Sequence, residues 1–301
     1  MKMLDVLLPC ASFCDLVFTG LPDMPKLGDE VYSHDFKILP GAGFIPAAAL
    51  TRLGMNVGWA SDFGNDFFSR YVLEEAGRQN LNPALFRKHD RPLQAVSVSF
   101  SFAHDRAFLS YMDPLPVLDM ATLVSAHPAR CLLLMGLHHD PGIPRIVETA
   151  HAQGSIVFMD GQGNDSLYLD DPHVKAALRS VDIFAPNRKE ALNLTGEKKP
   201  EAALARLTEL TRTVLIKLGA DGVLASHDGR VVHMPGIAVD VVDTTGAGDN
   251  FDCGFVYGLL NGYSLEDCLR SGNYCGGRST TAHGGWYASP TEDELKEYLA
   301  Q

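Results

Sequence analysis

The chain has 301 residues, 46% of them hydrophobic and 21% charged, with a formal net charge of −12. Such a chain can bury a large core without disulfide or metal staples. Its acidic balance, with no Lys/Arg cluster, excludes nucleic-acid backbones and anionic membrane surfaces as partners. It does not exclude an anionic cofactor, because local backbone dipoles override the global field.

The opening residues 1–10 read as a first β-strand, since Asp5 interrupts an apolar stretch already too short for a signal sequence. Residues 16–39 are rich in Pro, Gly and Asp with short strands between. From about Ala47, β-branched or leucine-rich runs such as Asn56–Ala60, Cys131–Met135, Ser155–Met159, Val181–Ala185 and Thr213–Lys217 alternate with helical patterns. That alternation predicts βα units around a mainly parallel sheet. Residues 95–111 break the rhythm by alternating apolar and polar residues, as half-exposed strands do. The expectation is a single α/β domain over residues 1–301, with a small β lid inserted from about 16–39 and 95–111.

The six cysteines, Cys10, Cys14, Cys131, Cys253, Cys268 and Cys275, make no CxxC pair and no zinc-spaced set. They read as small buried hydrophobes in a reducing compartment, the cytoplasm. No apolar run approaches the ~18 residues of a membrane helix.

The chemistry concentrates in Val241-Val242-Asp243-Thr244-Thr245-Gly246-Ala247-Gly248-Asp249-Asn250-Phe251. Strand residues run into a glycine-bracketed turn, and the turn opens a helix through Cys253, Phe255 and Leu260. The first N–H groups of that helix, from Gly246, Ala247 and Gly248, point outward where the dipole favours negative charge, making an anion hole. Glycine allows close approach of a phosphate. Asp249 in the first helical turn can accept the proton of an attacking hydroxyl. Asp249 as a mere helix cap is the structural alternative.

This segment resembles the C-terminal signature of the PfkB family of carbohydrate kinases, the ribokinase-like kinases, in which D-T-x-G-A-G-D carries the catalytic Asp. The resemblance implies a ribokinase-like α/β fold, ATP and Mg²⁺ as cofactors, Asp249 as general base and Gly246–Gly248 as anion hole. Pro186-Asn187-Arg188-Lys189-Glu190 looks like the family's N-x-x-E element, which would put Asn187 and Glu190 near magnesium and the triphosphate, mostly through water. Lys217, Gly219 and Gly222 match the glycine turn along the nucleotide, with a plain hairpin as the alternative. Asn273 and the Gly284-Gly285 pair fall where the family lines the adenine pocket. Asp243 and Thr245 are candidates for a monovalent cation such as K⁺.

On the acceptor side, Asp15, read at the end of the first strand, matches the acidic residue that grips sugar hydroxyls. Pro40-Gly41-Ala42-Gly43-Phe44-Ile45-Pro46-Ala47 resembles the first signature, G-G-x-x-x-N-x-A, with Gly41 to Gly43 as a turn holding the substrate. Pro40 replaces its first glycine, and Ile45 replaces the asparagine that usually bonds the substrate, leaving a more apolar wall. Asp62–Phe67 and the turn at Asp105-Arg106 fit lid-proximal elements, Arg106 is the nearby basic residue, and His138 falls where relatives place a polar substrate contact.

A dinucleotide fingerprint at Gly41–Pro46 lacks its third glycine and leaves Asn187, Glu190 and Gly246–Asp249 without a role. No GxxxxGK[ST] or G-x-S-x-G is present. A non-catalytic sensor on the same fold would be expected to have lost Asp249 or a glycine of the turn. The expected function is therefore ATP-dependent phosphorylation of a sugar hydroxyl, with a nucleoside as the alternative acceptor and a homodimer paired through the lids.

Overall fold

The computed structural model describes residues 3–102, 106–115, 118–161 and 167–301. In chain order the first half holds β1 (Leu4–Pro9), β2 (Ser12–Thr19), β3 (Asp35–Ala42), α1 (Phe44–Arg52), β4 (Val57–Phe63), α2 (Phe67–Arg78), β5 (Phe86–Lys88), β6 (Ala95–Ser101) and β7 (Arg106–Met112). There follow α3 (Met120–Ala126), β8 (Ala129–Leu134), α4 (Ile143–His151), β9 (Ile156–Asp160), α5 (Pro172–Ser180), β10 (Ile183–Ala185), α6 (Arg188–Thr195) and α7 (Pro200–Leu207). The chain ends with β11 (Thr213–Lys217), β12 (Val223–His227), β13 (Arg230–Met234), α8 (Ala247–Leu260), α9 (Leu265–Ser279) and α10 (Glu292–Leu299).

Nine strands form the central sheet, in the order β13-β12-β11-β10-β9-β8-β1-β4-β5. All pairs from β11 to β5 are parallel, and the pairs β11–β12 and β12–β13 are antiparallel. This is the mainly parallel, helix-flanked α/β sheet that the sequence predicts. Parallel strands covered on both faces must be apolar on both, and alternate residues divide accordingly. Cys131, Leu133, Phe158 and Leu215 enter one core with Phe44, Phe255 and Leu269. Leu132, Leu134, Val157, Val214 and Ile216 enter the other, with Val147, Val174 and Leu204.

The residues expected to form a lid make a separate four-stranded sheet, order β3-β2-β6-β7. Its bounds differ from the expected 16–39 and 95–111: β2 starts at Ser12 and β3 continues to Ala42. The chain leaves β1 after Pro9, with Cys10 N still donating to Ala60 O of β4 at 3.2 Å, and enters β2 at Ser12. Asp15 therefore stands inside β2, opposite Leu39 and Ser97, and not at the end of the first strand. Gly41 is likewise a strand residue, opposite Phe13, and not part of a turn.

Pairing register separates the two faces of this sheet. Asp15, Val17 and Thr19 share one with Lys37, Leu39, Ser97 and Ser99. Cys14, Leu16 and Phe18 share the other with Phe36, Ile38, Val98 and Phe100. This second face meets α2 near Ile38, whose carbonyl accepts from Tyr71 Oη at 2.6 Å. Farther out it stays open, with Phe36 and Leu109 both exposed.

Candidate active site

In an open parallel sheet, ligands gather at the carboxyl ends of the strands. Here those ends deliver Cys10 after β1, Asp160 closing β9, Asn187 just past β10 and Lys217 closing β11. Above them α8 begins. Its N-cap Gly246 has φ +69°, the left-handed region, and a Cβ there would stand 2.8 Å from Ile45 Cγ2 and 3.1 Å from Gly285 Cα. The turn needs glycine for both reasons.

Two side chains hold the turn. Asp243 Oδ1 accepts from Thr245 N at 2.9 Å and Thr245 Oγ1 at 2.7 Å, while Oδ2 accepts from Gly284 N at 3.0 Å. Asn250, fully buried, donates through Nδ2 to the carbonyls of Gly246 and Gly285. Asp243 thus works in the structure as a clasp for the turn. The pair Gly284-Gly285 also sits behind the turn, against Leu39 and Ile45, and not in an adenine pocket. Of the three N–H groups expected to form the anion hole, that of Ala247 already donates to Thr244 O, at 3.3 Å.

Asp249 lies in the first turn of α8. Burial, then the neighbouring Asp160, pushes its carboxyl up to about 7, against the opposing pull of Lys217. Lys217 closes a buried charge cluster, with Nζ 2.6 Å from Asp160 Oδ1 and 3.1 Å from both oxygens of Asp252. Asp252 is 0% exposed and Asp160 5%. Neither aspartate stands in a pattern legible on its own, although Asp252 at i+3 from Asp249 places both on one helix face.

Asn187 and Glu190 form a reciprocal capping box at the start of α6: Asn187 Oδ1 accepts from Glu190 N at 3.0 Å, and Glu190 Oε2 accepts from Asn187 N at 2.8 Å. The capping alternative is realised for both. Glu190 nonetheless reaches the site, since a Cβ on Gly161, next to Asp160, would stand 2.8 Å from its Oε2. Burial and Asp160 raise its carboxyl above the usual range.

A cavity of about 550 Å³ opens beside the turn and brings together Lys217, Gly219, Gly222, Gly248 and Asn273. Its apolar walls include Ile237, Val239, Val241 and Phe251. Ile237 and Val239 went unassigned in the sequence, and Val241, read there as a strand residue, lies outside any strand. Gly219–Asp221 is a short 3-10 turn inside the β11–β12 hairpin. Gly222 has φ +87°, and a Cβ there would stand 2.1 Å from Met234 O. Asn273 lines the cavity, but its amide donates to the carbonyls of Met234 and Pro235, at 3.1 and 2.8 Å, so it shapes the wall.

On the acceptor side, Asp15 covers Gly41 so closely that a Cβ there would stand 2.1 Å from Oδ2. Burial, then Asp243, pushes the Asp15 carboxyl up to about 7. Gly43, the N-cap of α1, is hemmed in by Trp59 Nε1, Ala11 O and Cys10 Cβ. Ile45 is 3% exposed and wedged against Gly246 and Gly285, so it braces the turn instead of presenting a wall to the acceptor. Arg106 opens β7 opposite Ser101, and Asp105 lies outside the described residues. His138 is exposed on the loop after β8, and no bond among the described residues joins it to Asp15 or Asp249. Asp62 pairs with Arg87 and His89, and Asp66 caps α2, so both serve the scaffold.

Residues 40–292 match the model of the pfkB family of carbohydrate kinases, and the chain belongs to that family. It is 28% identical to the 2-dehydro-3-deoxygluconokinase of Bacillus subtilis over 283 residues, covering 88% of this chain and 87% of that one. To the ribokinase of Haemophilus influenzae it is 25% identical over 294 residues, covering 93% and 94%. Among solved structures, Arabidopsis thaliana ribokinase complexed with ribose and ATP superposes with a TM-score of 0.82 at 23% identity, over 100% of both chains. The adenosine kinase of Sinorhizobium meliloti gives 0.80 at 20% identity, over 99% of this chain and 100% of that one.

Proposed function

We propose that this enzyme transfers the γ-phosphoryl group of ATP to a hydroxyl of a neutral sugar, with Asp249 as the general base. The observation that carries the reading is the place of Asp249, in the first turn of α8, next to Gly248 of the 550 Å³ cavity and near the thiol of Cys10, whose Cβ packs against Gly43. ATP fits that cavity, its adenine against Ile237, Val239 and Phe251 and its phosphates toward Gly248. The N–H groups of the Gly246–Gly248 turn steady charge on the transferred group. The acceptor hydroxyl gives its proton to Asp249, a bond forms from its oxygen to the γ-phosphorus, and the bond from that phosphorus to the ADP oxygen breaks.

The carboxylates of Asp160, Asp249, Asp252 and Glu190 outnumber the ammonium groups of Lys217 and Lys189 near them, so a divalent cation suits the corner. Among the described residues no three His, Cys, Asp or Glu side chains converge on one metal position. Mg²⁺ would accordingly be held beside Glu190 and Asn187 through water, as magnesium favours, and would neutralise phosphate charge. The Asp243 carboxylate is engaged by Thr245 and Gly284, so K⁺ enters as a measurement of activity with and without it.

The four-stranded sheet closes over the acceptor as a lid in this reading and excludes water. Its open apolar face, with Phe36 and Leu109, favours a homodimer paired through the lids. A nucleoside acceptor is the second reading. It draws on a cavity of about 540 Å³ between this sheet and Asp243, lined by Val17, Leu21 and Phe102.

The test is a coupled ADP-release assay with Mg·ATP against pentoses, hexoses, sugar acids and nucleosides, run beside Asp249→Asn. Turnover on a neutral sugar that vanishes in the variant supports the reading. Turnover on a nucleoside alone selects the second reading, and a fully active variant removes Asp249 as the base.

A further inference from the structure

Residues 235–241 run as a strap between β13 and the α8 turn and form one wall of the 550 Å³ cavity. Two contacts pin the strap to α9. The Asn273 amide donates to the carbonyls of Met234 and Pro235, and a Cβ on Gly277 would stand 2.5 Å from Ile237 Cγ1. The other polar groups of the cavity are engaged by the protein as well. Lys217 Nζ donates to Asp160 and to both oxygens of Asp252, and Thr280 Oγ1 donates to Gly277 O at 2.7 Å. The carbonyl of Thr280 accepts from the N–H groups of Val242 and Asp243, at 2.8 and 3.0 Å. The remaining lining toward α9 and the strap is apolar, with Ile237, Val239, Val241 and Phe251 beside Gly276 and Gly277.

A site built to hydrogen-bond a substrate group rejects the analogue lacking it by ~10⁴–10⁵, whereas an apolar pocket separates near-isosteres by only ~10² or less. Among the described residues that line this cavity, one side-chain donor is left over, the hydroxyl of Thr244. It belongs to the phosphate end, where the Thr244 carbonyl accepts from Ala247 N. On the base side Asn273 Oδ1 and the lone pairs of Thr280 Oγ1 can only accept. An acceptor does not distinguish the purines, since adenine offers its 6-amino group and hypoxanthine and guanine offer N1–H. The strap forms no ladder, so its backbone presents N–H and C=O in alternation and can meet a base edge of either polarity.

We propose that this site selects its phosphoryl donor by purine shape and apolar contact and not by the polarity of the base edge, so that ITP and GTP serve as donors beside ATP. The proposal rests on the donor nucleotide occupying this cavity. The transfer is the same as with ATP: the bond from the acceptor oxygen to the γ-phosphorus forms, the bond from that phosphorus to the IDP or GDP oxygen breaks, and the hydroxyl proton passes to Asp249. Pyrimidine nucleotides cover less of the apolar wall and bind more weakly.

Hypoxanthine is the decisive base. It has the shape of adenine, with a 6-oxo acceptor and an N1–H donor where adenine has a 6-amino donor and an N1 acceptor. Titration calorimetry of the full chain with Mg·ADP and with Mg·IDP compares the two without any acceptor. Dissociation constants within about tenfold of each other support the proposal, and a larger ratio overturns it. Asn273→Ala should weaken both nucleotides by the same factor, because Asn273 holds the strap; a loss confined to ADP also overturns it. Val239→Trp fills the cavity beside Ile237 and should weaken both by about tenfold or more. Should that variant bind ADP as the wild type does, the nucleotide lies elsewhere, and the donor site and the proposal fall together. Should it lose ADP while the wild-type chain rejects IDP, the donor site stands and the proposal alone falls.

Discussion

Behind the turn that starts α8 the packing is tight: a Cβ on Gly246, Gly276 or Gly285 would meet backbone or a buried side chain at 3.1 Å or less, and Asn250 and Asp243 hold the turn by hydrogen bonds to two segments. The four-stranded sheet is built differently. It keeps a polar face toward the site, with Asp15, Ser97 and Ser99, and leaves much of its apolar face, with Phe36 and Leu109, exposed. In the proposed mechanism the first region holds atoms still through a reaction, which requires packing from every side. In the same proposal the second opens and closes or meets another chain, and sheets with an uncovered face and edges suit that.

The contrast predicts effects of decreasing size. Asp249→Asn should lower kcat by ~10²–10⁴ while ATP still binds, as measured by titration calorimetry; wild-type turnover would show that the rigid corner serves binding only. Gly246→Ala should destabilise the fold by about 2–3 kcal/mol in urea unfolding, because it adds a left-handed alanine to a methyl-sized clash. A neutral result would mean that the corner yields as the small sheet does.

The third prediction concerns pH. Asp15 and Asp249 both stand near 7 in the folded chain, against roughly 4 when unfolded. A carboxyl raised in this way favours the folded state while it is protonated. Its contribution is whole below about pH 4 and is lost as pH rises to about 7. Melting temperature should therefore fall across that window, and Asp15→Asn should flatten the fall, gaining about 1–2 kcal/mol at pH 8. An unchanged pH profile would deny that burial strains these groups. Turnover should drop as pH falls through about 7, when Asp249 takes up its proton.

The smallest effect on the fold falls on the sheet's outer face. Leu109→Asp or Phe36→Asp should convert a dimer to monomer in sedimentation velocity while changing monomer stability by no more than about 0.5 kcal/mol. A wild-type chain that sediments as a monomer would remove the pairing role.

The alternation of apolar runs and helical patterns, and the D-T-x-G-A-G-D run, were sufficient to place a parallel sheet, the α8 turn and Asp249, because each is a local pattern read within about ten residues. Local pattern also misled: Ile45 braces the turn, and Gly284-Gly285 stand behind it. Asp160 and Asp252 could not be read at all, since they come to Lys217 from 57 and 35 residues away in the chain. Whether an isolated Asp is a solvated surface charge or half of a buried clamp depends on which strand ends lie side by side. That order is set by the pairing of β9, β10 and β11 in the sheet, and only the tertiary structure decides it.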